Sequence, residues 1–105
     1  MNSNQPLSEQ YRLIAKQWVA ADTVASLLEE TKSAVLAKMM TREGNLPVSR
    51  AEMNVKASTA WQDFIESMVK ARSEAALLKV QLEYVRMRFS EQQSEEASKR
   101  AEMRL

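Results

Sequence analysis

Two stripes of apolar residues run along this chain, each advancing by alternating steps of three and four. The first is Tyr11, Ile14, Trp18, Ala21, Ala25, Leu28, Lys32, Val35 and Met39. The second is Trp61, Phe64, Met68, Ala71, Ala75, Leu78, Leu82, Val85 and Phe89. That rhythm brings every member of a stripe to one face of a helix. Lys32 is the sole polar member of the first stripe, and the second has none. The pattern therefore predicts two long helices, over 8–42 and 60–89.

The punctuation between and around the stripes sets the expected boundaries. Residues 1–7 read as a short disordered arm. Ser8 follows Pro6 as an N-cap candidate, with Glu9 near the positive end of the helix dipole. Gly44-Asn45-Leu46-Pro47 offers a C-cap and then a helix breaker, ending the first helix near Arg42. The connection over 43–59 holds a short helix, opened by a capping box at Ser49 and Glu52. A second capping box, Thr59 with Gln62, opens the long second helix. A single helix from 50 onward is the alternative, since Ser58 and Thr59 do not compel a break. Beyond Phe89, residues 90–105 form a polar tail, helical or frayed, with a thin apolar line at Ala97, Ala101 and Leu105.

Labelling the stripes a and d, from Tyr11 and Trp61 at a, places Asp22 and Glu29 at e on the first helix. Arg72, Lys79 and Arg86 take e on the second. In an antiparallel pair e faces e, so acid meets base. A register that sets Val35 against Met68, Leu28 against Ala75 and Trp18 against Val85 brings Glu29 to Arg72 and Asp22 to Lys79. It also lays the Lys32 stem over the small Ala71 and leaves Arg86 opposite Ala15, unpaired. The expected fold class is all-α: an antiparallel, coiled-coil-like hairpin of two long helices with a short connecting helix. Trp18, Leu28, Val35, Trp61, Phe64, Met68, Leu78, Leu82, Val85 and Phe89 are the expected core. Leu13, Val24, Leu27 and Leu36, with Ile65, Val69, Leu77, Val80 and Tyr84, widen the apolar faces beyond a two-stranded seam. That surplus predicts further helices from another copy or from a partner protein; a homo-oligomer is expected, a dimer forming a four-helix bundle being the simplest form.

Composition narrows the chemistry. The 105 residues include one Gly, two Pro, no Cys and no His. So few helix breakers agree with a nearly all-helical chain. Without Cys or His there are no disulfides, no thiolate sites, no cysteine nucleophile and no imidazole base. Glu29, Glu30, Glu66, Glu74 and Glu83 are carboxylates at helical spacing on polar faces, where solvation is the ordinary role. With Gly44 alone there is no glycine-rich phosphate loop. No enzyme, cofactor or metal is expected. The polar N-terminus does not resemble a signal peptide, and no apolar run approaches the ~20 residues that span a bilayer. A soluble, cytoplasmic chain is the expectation.

A formal net charge of +1 imposes no global field. Local clusters remain: Lys38, Arg42, Arg50 and Lys56 around the connection, and Arg86 with Arg88 near the end of the second stripe. Either cluster suits phosphates without sequence readout. Trp18 and Trp61 sit on the stripes and are expected as core anchors, base stacking being the other use. The methionines suggest adaptable packing surfaces.

The stretch Ser49–Phe89, "SRAEMNVKASTAWQDFIESMVKARSEAALLKVQLEYVRMRF", resembles small helical proteins of phage and prophage recombination and replication clusters. The layout of a lysine-bearing first helix, an "SRAEM" helix in the linker and a long second helix is similar to that of phage recombination mediators. The resemblance implies an oligomer that binds single-stranded DNA and helps load a recombinase against a single-strand-binding protein. The basic positions named above would then carry the contact. The second hypothesis is a helical protein-interaction module, an adaptor, assembly factor or inhibitor, that binds no DNA.

Overall fold

The computed structural model describes residues 4–104, and within them the chain is all-α: α1 Leu7–Thr41, α2 Val48–Lys56 and α3 Thr59–Met103. Two long helices with a short one between them are the expected elements. α1 opens at Leu7, one residue ahead of Ser8, because the Pro6 carbonyl accepts the N–H groups of both Glu9 and Gln10 at 3.0 Å. Of the arm expected over 1–7, residues 1–3 lie outside the described residues. Gln5 is tied to the helix, its carbonyl accepting from the buried Gln10 Nε2 at 2.8 Å.

α1 ends where the glycine requires it. The Thr41 carbonyl accepts from Gly44 N–H at 3.3 Å, and Gly44 adopts a φ of +83° that side chains with a Cβ rarely take. The start of α2 differs from the expected capping box. Pro47 stands at the N-cap with φ −55° and ψ 146°, and no side chain caps the helix. Its carbonyl instead accepts from Arg50 at 3.0 Å and Ala51 at 2.9 Å, which leaves Ser49 inside the first turn. At α3 the cap lies one residue earlier than expected. Ser58 Oγ accepts the Trp61 N–H at 3.2 Å, so Ser58 and not Thr59 satisfies that donor. The break after Lys56 is real, and the single helix from 50 does not form. The tail expected over 90–105 continues α3 to Met103 with its described residues all exposed, while Leu105 lies outside the description.

The chain divides into two compact units. The first joins the described residues up to Ala20 with those from Ala76 onward, and the second is Ala21–Ala75. In the first, Ile14, Leu82 and Val85 form a buried cluster, with Leu7, Tyr11, Ala15, Trp18 and Leu78 packed against it. Each of these except Leu7 and Ala15 belongs to one of the two stripes, so the stripe is the core. In the second, Ala25, Ala51, Val55, Trp61, Met68, Ala71 and Ala75 are buried. Small residues dominate here because alanine admits a close approach of helix to helix, and α2 contributes Ala51 and Val55 from one face at a spacing of four. Trp61 stacks on Phe64 with ring centroids 5.6 Å apart and planes at 26°. Across this unit Arg72 meets Glu29 at 3.1 Å, the pair expected from the e positions. Asp22 and Lys79, expected to pair likewise, belong to different units.

Candidate interaction surfaces

The basic residues singled out in the sequence meet different fates. Lys56 is engaged by Glu52, one turn earlier on α2, at 2.9 Å. Arg86, expected to stand unpaired opposite Ala15, donates to the Tyr11 hydroxyl at 3.3 Å. That hydrogen bond, and then the charge interaction with Tyr11, raise the Arg86 guanidinium above its ordinary pKa; an arginine is in any case a cation at every working pH. Lys38, Arg42 and Arg50 are exposed around the end of α1 and the start of α2, and Arg88 is exposed on α3. The second unit thus presents three cations at its turn.

Next to them is a shallow cleft of about 300 Å³ lined by Ala37, Met40, Thr41, Gly44, Leu46, Val48 and Ala51. The first unit carries a groove of about 290 Å³ between Leu7, Ser8, Tyr11, Val85, Arg86 and Phe89. Phe89, placed in the core by its stripe position, is 45% exposed and forms one wall of that groove. The other expected core residues divide between buried (Trp61, Met68, Leu82, Val85) and half-buried (Trp18, Leu28, Val35, Phe64, Leu78).

The apolar surplus lies uncovered. Val24 and Leu27 on α1 are each more than half exposed. On α3, Leu77, Val80, Tyr84 and Met87 stand at 57–61% exposure. These four advance by three, four and three residues and so make a second stripe. Leu77 and Tyr84 take c, and Val80 and Met87 take f, the side of α3 turned away from its a/d seam. Leu77, Val80 and Tyr84 are among the surplus apolar positions of the sequence, and Met87 completes their line. The same helical periodicity that marks the core marks this line on the opposite face of α3.

No family model, curated protein or solved structure matches the chain. Among the described residues no cluster of His, Cys, Asp or Glu could hold a metal ion. Among the same residues no helix is long and apolar enough to cross a membrane.

Proposed function

We propose that this protein is a non-enzymatic helical interaction module, an accessory or assembly factor that works by docking other helices on its exposed apolar faces. One observation carries the reading. In each unit a/d residues are already buried within the chain itself, yet α1 and α3 still expose large aliphatic and aromatic side chains at helical spacing. Contiguous exposed apolar surface of this kind favours a partner, at ~25 cal/mol per Å² removed from water. A helical partner recognises it through anchors spaced i, i+3, i+7.

The test is affinity capture with the tagged chain beside its Leu27→Glu and Val80→Glu variants, read by mass spectrometry. A protein retained by the native chain and lost on at least one variant is expected. Nothing captured above bare resin, or capture indifferent to both variants, overturns the reading.

A second reading, contact with single-stranded DNA, is supported by the exposed Lys38, Arg42 and Arg50 at the turn of the second unit. It corresponds to the recombination-mediator role that the sequence resemblance implies, with a recombinase as the further partner.

A further inference from the structure

We infer that the c/f stripe of α3 docks on the same stripe of a second copy, antiparallel, with Gln81 at the two-fold axis. The inference rests on the proposed docking function and names the occupant of one face. The charge pattern along this uninterrupted helix selects that occupant.

In an antiparallel pair of stripes, Leu77 layers against Met87 of the copy and Val80 against Tyr84. Positions flanking the stripe on one side are Glu74, Gln81 and Arg88, all exposed. They are spaced evenly about Gln81, so the two-fold axis sets Gln81 against Gln81 and Glu74 against Arg88 twice over. At the ends of the stripe Lys70 approaches Glu91 of the copy, again twice. The one like-charge meeting is Glu83 with itself on the other flank.

A parallel pairing is worse matched. It gains Glu83 with Arg88 twice, but stacks Lys70 on Lys70 and Glu91 on Glu91 at stripe positions, where like charges are costly. Opposite charges outnumber like charges only in the antiparallel arrangement. A helix face whose charges are complementary to their own reverse order is the isologous pattern of a two-fold dimer.

The chain has no cysteine, so a single introduced thiol reports cleanly. Purified protein is examined by light scattering at about 100 µM, and Gln81→Cys and Leu77→Cys variants are treated with a short bis-maleimide linker. The expected mass is twice that of the chain, with Gln81→Cys cross-linked and Leu77→Cys not. Val80→Glu gives the monomer mass with an unchanged helical circular dichroism spectrum, since that side chain stands outside the core. Arg88→Glu weakens dimerisation roughly tenfold, and adding Glu74→Arg restores it. Glu83→Gln tightens the dimer, whereas in a parallel pair it would loosen it.

A monomeric native chain, or cross-linking at Leu77→Cys without Gln81→Cys, overturns the inference. A monomer that still captures a different protein through Val80 overturns this inference alone and leaves the docking function standing.

Discussion

Arg86 on α3 donates a hydrogen bond of 3.3 Å to the hydroxyl of Tyr11, 75 residues away on α1. The same tyrosine ring packs on the buried cluster of Ile14, Leu82 and Val85. One residue thus supplies core area through its ring and a polar tie through its hydroxyl, and substitution separates the two. Tyr11→Phe keeps the ring and removes the acceptor; Tyr11→Ala removes both. Because the hydrogen bond is exposed to solvent, thermal midpoints should fall in the order native, Phe, then clearly lower Ala. A Phe variant as damaged as the Ala variant would show that the hydroxyl is the larger contributor.

Ile14 is the buried aliphatic at the centre of the first unit, with Leu82 and Val85 in the same cluster. Ile14→Ala removes its transfer free energy and leaves a cavity that two long helices close only in part. Chemical denaturation should register a loss of about 2–5 kcal/mol. Val80→Ala, on the exposed side of α3, serves as the control. At protein concentrations low enough to keep the chain monomeric, it should cost far less than the core change.

The hydroxyl that caps α3 belongs to Ser58, which accepts the Trp61 N–H at 3.2 Å. Ser58→Ala leaves that donor without its protein partner at the start of the longest helix, and a loss of about 0.5–2 kcal/mol is expected. Ser49→Ala and Thr59→Ala, at the two positions where capping boxes were expected, should each cost much less. Equilibrium denaturation of the three single variants checks the assignment. Equal losses at Ser58 and Thr59 would contradict the geometry.

The stripes were legible because burial imposes a period, and a period survives without knowledge of any neighbour. Thus Ile14, Met68, Leu82 and Val85 are where the spacing places them, and the e-position rule finds Glu29 with Arg72. The caps were only half legible. Ser58 and Thr59 are adjacent hydroxyls, and which one faces the free N–H groups depends on how the chain arrives from α2. Ser49 looked like a cap because its spacing to Glu52 is right, but Pro47 starts the helix earlier. Arg86 was missed for another reason. Pairing by opposite charge finds only carboxylates, whereas a long guanidinium side chain reaches a neutral tyrosine one helical turn beyond its opposite position. The interaction faces were legible as surplus and not as sites, since their occupants supply half of the contact and are not encoded at neighbouring positions of this chain.

Acid should loosen the start of α1. Arg12 holds the Glu9 carboxylate by two contacts, at 2.6 Å and 3.1 Å, and the hydrogen bond from Arg12 keeps Glu9 below the ordinary carboxylate pKa. A carboxylate whose pKa is depressed by folding contributes stability above its unfolded pKa. That contribution is lost as pH falls through the folded value. The protection factors of the amides at the start of α1, taken relative to the intrinsic exchange rate at each pH, should therefore fall on acidification through that range. Glu9→Gln should abolish that pH dependence of protection while leaving protection in the middle of α3 unchanged. Hydrogen exchange read by NMR at a series of pH values decides it.

The DNA reading and the protein-docking reading separate on the salt dependence of the second unit. Lys38, Arg42 and Arg50 are exposed, whereas Lys56 is already held by Glu52 at 2.9 Å. Three cations meeting single-stranded phosphates release counterions, so log affinity should fall against log salt with a slope of about −2. Replacing all three by Ala should flatten that slope and lower affinity for every oligonucleotide alike, because phosphate contacts carry no sequence information. Lys56→Ala should change little, since its charge is neutralised locally before any phosphate arrives. Fluorescence anisotropy with a labelled single strand, titrated at several salt concentrations, measures the slope. Absence of binding at low salt, with capture of protein partners intact, would assign these cations to solubility and leave the apolar faces as the functional surface.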